Sequence, residues 1–532
     1  MKALARWANS GWVKYRRRVA VISHGVAICL TFTACNMPAR KQPASLPRAE
    51  LPISAELKIS ASPQTASPAN TAQWSSQEWP AEQWWVQLRD DQLDDLIERA
   101  LRNAPDLQQA QARVAIAVSA IEQTRAELGV KIDARAQAER TRLSKNLGLL
   151  GSSAPADAAS SPSITSLGLV GLQFQYDFDW WGKRRAAVDA AVDRARASDA
   201  GRAAAALLLQ NGVATSYCGW LADQQRLQLT QQMIALYESE LHIAQRRRDS
   251  GIDSADAEQM ARTDLATALS QQAMLSSSAH LHLVQLAALL GIAPDQLPRL
   301  QARPLPQFAT PLPADTRIAL LGRRPDIVAN RWRIEAASED IEEARKAYLP
   351  DISISALVFF ASDDFHKLFD RDSLLWSVGP AITLPIFEGG RIHARYGVSR
   401  AQLEAAIADY NATVITAARD VATQVLTLDQ LNTQRTQQQT AIAASTTLLA
   451  NANARARQGL VDRRTQNNAD VQALRARDAA LQIDAQFITT QLALIKALGG
   501  GYEIDAAASA QKDSAMIHAV ARSTASETRA DR

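Results

Sequence analysis

Cysteine is nearly missing from this chain: three in 532 residues, at positions 29, 35 and 218. Cys29 and Cys35 fall in what reads as a leader, so a mature chain would keep Cys218 and at most a modified Cys35, and a disulfide framework is excluded. Net charge is also missing. Formal charge is +3, too little for a bulk attraction to nucleic acid. Aromatic residues make up only 5%. The seven histidines are scattered, and His280 and His282 are two apart, so on a helix they cannot offer one face to a metal. There is no HExxH, no GxSxG and no phosphate-binding glycine loop, so neither a catalytic motif nor a cofactor or metal motif is present. Beyond the leader no uninterrupted apolar run is long enough to cross a bilayer as a helix. If this chain spans a membrane, it must do so with strands.

The leader is well marked. Lys14, Arg16, Arg17 and Arg18 precede an apolar stretch from Val19 to Phe32, too short for a stable span. It closes on Phe32-Thr33-Ala34-Cys35, close to the signal after which a cysteine thiol takes a diacylglycerol. Residues 1–34 are therefore expected to be a lipoprotein signal, with Cys35 lipidated; a plain secretory signal with an incidental cysteine is the alternative. Asn36, rather than Asp, favours the outer membrane. Pro, Ala and Ser dominate residues 35–78, which read as a flexible tether.

What is abundant is repetition. Ala104-Pro105-Asp106-Leu107 returns as Arg324-Pro325-Asp326-Ile327, and Ile132 as Ile352, both 220 residues on. Gly182, Gly251 and Gly291 return as Gly390, Gly459 and Gly499, all 208 on. The first copy thus carries extra residues between Ile132 and Gly182, as a surface loop tolerates. The expected parts are a first repeat over 79–300, a second over 301–502, and a disordered tail over 503–532.

Each copy holds two segments of period two. Val170, Leu172, Phe174, Tyr176 and Phe178 alternate with Gln173, Gln175 and Asp177. Ile352, Ile354, Ala356, Val358 and Phe360 alternate with Ser353 and Ser355. A third segment carries Trp376, Val378, Ile382, Leu384 and Ile386 on one face. Ile132 to Leu143 is a weaker fourth. Their lengths suit membrane-crossing strands, with Val358 and Ile382 toward lipid and Ser355 and Thr383 toward a lumen. Each hairpin leads into a helix bounded by glycines (Gly182 to Gly251, Gly390 to Gly459), about 100 Å long at about 1.5 Å per residue. Such a helix must pack against others, as in a coiled coil.

Four strands cannot close a barrel, and lipid forbids open edges. The expected fold is an α+β membrane protein: a homotrimer whose twelve strands, four per chain, close a β-barrel, continued by a long α-helical barrel that the resemblance described next places in the periplasm, with a two-fold internal sequence repeat.

The chain resembles the TolC-type outer-membrane efflux proteins, in their NodT-like lipoprotein branch. The resemblance rests on Gly322-Arg323-Arg324-Pro325-Asp326-Ile327, Arg331-Trp332-Arg333-Ile334-Glu335-Ala336-Ala337, Tyr348-Leu349-Pro350-Asp351, the run from Gly379 to Gly390, and Asp179-Trp180-Trp181-Gly182-Lys183. It implies an outer-membrane channel-tunnel, not an enzyme, that passes small toxic organics or drugs from an inner-membrane pump and a periplasmic adaptor to the exterior. A duct for secreted proteins uses the same fold; a periplasmic coiled-coil lipoprotein is the alternative of another class. The resemblance also implies site residues. The tip turns, Arg248, Gly251 and Ile252, and Arg457, Gly459 and Leu460, would dock the adaptor. The helix after the second turn would hold the periplasmic gate, with Asp462, Asn468 and Asp470 as candidates. Asn468 stands where the family often has an acid, and the run from Arg463 to Asn468 is polar where it is usually apolar; a solvated helix face is the alternative there.

Overall fold

A computed structural model describes residues 83–142, 164–308 and 323–502. Cys35, the leader, the tether, Trp79, most of the first hairpin connection, Pro311, Pro313 and the tail lie outside these residues.

The described chain begins with a short helical turn, Trp84–Leu88, and then α1, Asp91–Asn103. Asp90 caps α1 by accepting from the backbone amides of Gln92 and Leu93. Leu93, Leu96, Ile97 and Ala100 recur at helical spacing and are all buried. Pro105 opens α2, Pro105–Ala126, where its missing N–H costs nothing. Strands β1, Lys131–Arg142, and β2, Ile164–Phe178, follow. Next come α3, Lys183–Asp249, and α4, Ala255–Leu290. The same order returns as α5, Pro325–Lys346, β3, Asp351–Ser362, β4, Leu374–Thr383, α6, Arg391–Arg457, and α7, Arg463–Ala497. Helices α3 and α6 are each 67 residues, about 100 Å of helix.

β4 was expected to continue to Ile386 and instead stops at Thr383. Pro385 has no amide to give a ladder. Ile386 and Phe387 beyond it are 89% and 88% exposed.

One compact unit gathers Val118–Asp193 and Ile334–Ala405 around the sheet. The four strands form one antiparallel sheet in sequence order, and the register runs without a bulge. Opposed residues share a face. Ile132 lies opposite Phe174, Leu172 opposite Val358, and Val358 opposite Trp376. One face therefore collects Ile132, Leu172, Phe174, Val358, Trp376, Val378 and Ile382, large side chains mostly open to the surroundings. The other face carries Asp133, Arg135, Gln173, Gln175, Ser353, Ser355 and Thr383, and with them Leu167, Leu169, Leu357, Phe359 and Leu375. At the strand-to-helix end, the Trp181 indole donates to the Pro350 carbonyl at 2.8 Å, and Arg184 pairs with Asp177 at 2.7 Å.

The other unit comprises the described parts of Leu51–Ala117, Arg194–Arg333 and Ala406–Arg532. Its core joins Trp84, Leu93 and Ile97 to Tyr217 and Leu221 of α3, Leu286 and Leu290 of α4, Val421 of α6, and Leu492 and Ile495 of α7. Along α4, Ala261, Ala268 and Leu275 are buried at steps of seven, as are Ala279 and Leu286, the spacing of helices packed side by side. A second cluster holds Met233, Ile234 and Tyr237 of α3, Ala268 of α4, and Val471 and Leu474 of α7. Among the apolar groups sits one buried polar knot. The Tyr217 hydroxyl donates to Asp90 at 2.8 Å, and Arg303 approaches the same carboxylate at 3.3 Å. Burial pushes the Cys218 thiol up to about 12, which keeps it a small, unreactive core side chain.

Candidate functional site: the two helix turns and the start of α7

Both long helices end on the same backbone device. In the first turn Gly251 has φ +70°, its amide donates to the Arg248 carbonyl at 2.8 Å, and the Ile252 amide to Arg247 at 2.8 Å. In the second, Gly459 has φ +71°, with Gly459 donating to Ala456 at 3.0 Å and Leu460 to Arg455 at 2.9 Å. Only glycine takes this left-handed position cheaply, and the doubled bonds satisfy the last carbonyls of each helix. In this motif the residue after the glycine usually packs on an apolar side chain inside the helix. Here the partner positions are Arg247 and Arg455. Ile252 and Leu460 are left 64% and 68% exposed.

The arginines of the first turn are occupied. Arg248 contacts Asp249 at 2.6 Å and the buried Glu258 carboxylate, which Arg262 also holds. Arg247 pairs with Asp253 at 2.8 Å. Arg464, from α7, reaches the same Asp253 at 3.2 Å and also binds Glu240 of α3. The hydrogen bond from Arg247, reinforced by both guanidinium charges, holds the Asp253 carboxyl below the usual carboxylate range. In the second turn Arg457 donates to the Asn453 carbonyl, while Arg455 and Arg463 are exposed.

Of the three gate candidates, Asp462 is the N-cap of α7. Its carboxylate accepts from the Thr465 amide at 2.9 Å and from the Thr465 hydroxyl at 2.7 Å, and these bonds lower its pKa. Asn468 is exposed and Asp470 half-buried. Two residues apart, they do not share a helix face. The polar run between them and the turn divides into two sets. Arg464, Gln466 and Asn467 point into neighbouring helices: Gln466 bonds Asn453 of α6 at 2.6 Å, and Asn467 bonds Ser239 of α3 at 3.3 Å. Thr465, Asn468, Gln472 and Arg475 form the exposed stripe at steps of three and four. The sequence alone did not reveal Glu240, Asp253 and Ser239 as partners, because they precede α7's residues by 224, 211 and 228 positions.

A family described as "Outer membrane efflux protein" matches residues 96–292 and 318–500. The chain is similar to the multidrug resistance outer membrane protein MdtP of Escherichia coli K12, with 31% identity over 421 residues, 79% of this chain and 86% of that protein. It is similar to the putative multidrug resistance outer membrane protein MdtQ of the same organism, with 32% identity over 430 residues, 79% of this chain and 88% of that one. Among solved structures, the outer membrane protein VceC of Vibrio cholerae matches with a TM-score of 0.70 and 29% identity. The match covers 80% of this chain and all of that chain.

Proposed function

The chain belongs to the outer membrane efflux protein family, and from that premise we propose that it is the outer-membrane channel of a tripartite pump, passing small toxic organics or drugs outward without chemistry of its own. Its homologues are multidrug resistance proteins of the outer membrane. One observation carries the reading: a four-stranded sheet with one face almost wholly apolar, an opposite face that holds its charged and amide side chains from β1 to β3 together with some leucines, and, among the described residues, two unpaired edges, β1 and β4. Such a sheet is stable in lipid only when further copies pair its edges. Three chains would supply twelve strands, an even number within the known range of barrels. The matching starts of the elements, 105 with 325, 131 with 351, 183 with 391 and 255 with 463, support a duplicated module that makes such a ring nearly six-fold.

In this reading Cys35 carries the lipid anchor, and the helices project into the periplasm. The exposed Ile252 and Leu460, flanked by Arg248, Gly251, Arg457 and Gly459, form the adaptor's docking points. α7 lines the narrow end, with Asn468 and Asp470 the candidates to face the axis and Asp462 setting where the helix begins. The folded span divides into repeats over 79–300 and 301–502. The test is reconstitution. Purified protein should give discrete conductance in planar bilayers, and the gene should restore drug resistance to a host lacking its own channel but keeping adaptor and pump. Conductance without any change in drug accumulation would overturn the efflux assignment.

A further inference from the structure

The apolar face of the sheet is not uniform along its length. Its members on β1 are Ile132, Ala134, Ala136 and Ala138, and then Arg140 and Arg142. From Ser166 to Phe178 on β2, and along β3 and β4, this face carries no charged residue. Both arginines are exposed, and among the described residues neither has a carboxylate partner. Glu139 and Thr141 lie on the opposite face and bond to one another at 2.9 Å. Residues two apart on one strand stand about 7 Å from each other, so the two guanidinium groups can share one doubly charged ligand.

The rungs fix their depth. Ala138 lies opposite Gly168, and Gly168 opposite Ser362. On that rung the connection between β3 and β4 folds back over the apolar face. A Cβ on Gly168 would meet the Phe365 ring at 3.0 Å and Leu368 at 3.4 Å, and Phe369 rests on Phe360 with ring centroids 5.8 Å apart. That connection is irregular and polar, with Asp363, Asp364, His366, Lys367, Asp370, Arg371 and Asp372. Irregular backbone cannot sit in hydrocarbon, so the apolar layer ends at the Ala138–Gly168–Ser362 rung. Arg140 and Arg142 are the next two positions outward on β1. The apolar face begins at the Phe178–Ile352–Ile382 rung, ten residues along β2 from Gly168, roughly 25 Å of height at the usual strand tilt and equal to the apolar band of such barrels, so Arg140 and Arg142 lie past its outer limit. The hairpin connections lie at this end and the helices at the other, so this is the external leaflet.

We infer that Arg140 and Arg142 form a phosphate clamp for the lipid of the outer leaflet, a phosphorylated glycolipid lying against β1. The chemistry is matched: two adjacent guanidinium groups on a lipid-facing surface, at headgroup depth, with an alanine-lined wall beneath them for an acyl chain. This rests on the outer-membrane reading above.

The test uses full-length protein purified in detergent and native mass spectrometry of retained lipid. Diphosphorylated lipid A should bind wild type, and the Arg140→Gln/Arg142→Gln variant should bind about thirtyfold more weakly. Arg135→Gln, on the opposite face of the same strand, should bind as wild type does. Lipid A stripped of its phosphates should bind wild type as weakly as intact lipid A binds the double variant, an arm that stands even if the variant fails to assemble. Equal binding of both lipids, or of intact lipid by wild type and double variant, overturns the clamp. Competition by inorganic phosphate at the lipid's concentration overturns it too, in favour of a free-anion site. Failure of the outer-membrane reading would appear separately, as protein that neither inserts nor conducts.

Discussion

Val358 and Ser355 are neighbours on β3 that should respond oppositely to the same substitution. Val358 is half-exposed, lies between Leu172 and Trp376, and belongs to the apolar face. Ser355 lies between Gln175 and Gly379 on the polar face. Nothing stands within 4 Å of a Cβ placed on Gly379, so a long side chain at 355 has room. Arginine at a lipid-facing position near mid-bilayer costs about 2–4 kcal/mol. At about 1.4 kcal/mol per factor of ten, Val358→Arg should lower the folded-to-unfolded ratio roughly thirtyfold to several hundredfold. Ser355→Arg would meet water in the lumen and should stay within about 0.5 kcal/mol of wild type. Urea titration of protein folded into liposomes, read by heat-modifiable gel mobility, measures both. Equal losses, or a larger loss for Ser355→Arg, would refute the assignment of faces and with it the barrel.

Cys35→Ser should abolish incorporation of labelled palmitate while leaving assembly intact, because the strands enter the membrane on their own account. Cysteine at Asn468 or at Asp470, whichever faces the axis, should cross-link between subunits and block efflux until reduced; cross-linking at neither position places the constriction elsewhere. Ile252→Glu together with Leu460→Glu should weaken adaptor pull-down without changing conductance, and unchanged pull-down would remove the turns from the docking surface. The Asp462 carboxyl is depressed in the folded chain, so its contribution is complete above the usual carboxylate pKa near about 3.9 and is lost as pH falls through the lower folded value. The protection factors of amides at the start of α7, exchange rates divided into the intrinsic rate at each pH, should therefore be steady from neutral pH down to about 5 and fall in stronger acid. Asp462→Asn, which keeps a capping acceptor, should flatten that dependence.

The elements that local pattern controls were legible in the sequence. Period two revealed β2 and β3, and paired glycines bounded α3 and α6. β1 was the faintest strand because alanine fills the apolar-face positions that leucine or valine would mark. The end of β4 was misplaced because Leu384 and Ile386 keep the alternation going after Pro385 has removed the amide a ladder needs. Long-range polar pairing was not legible. Arg464 reads as surface charge until Glu240 and Asp253 are brought to it. Nothing local to Asp90 hints at Tyr217 and Arg303. Those partners are chosen by helix packing, which no local window contains.

The open edges of the sheet also set an order of events. β1 and β4 run for 12 and 10 residues, and about half the backbone groups on each point outward with no partner strand among the described residues. In hydrocarbon each unpaired group costs several kcal/mol, so a solitary chain that entered the bilayer early would lose far more than its apolar face gains. On the proposed barrel, insertion would not precede edge pairing; the two would be one step, and that step would need more than one chain. The rate at which channels appear should climb more steeply than in proportion to the supply of exported protein. A cell making little of this chain would hold it as waiting protomers rather than as a few finished pores.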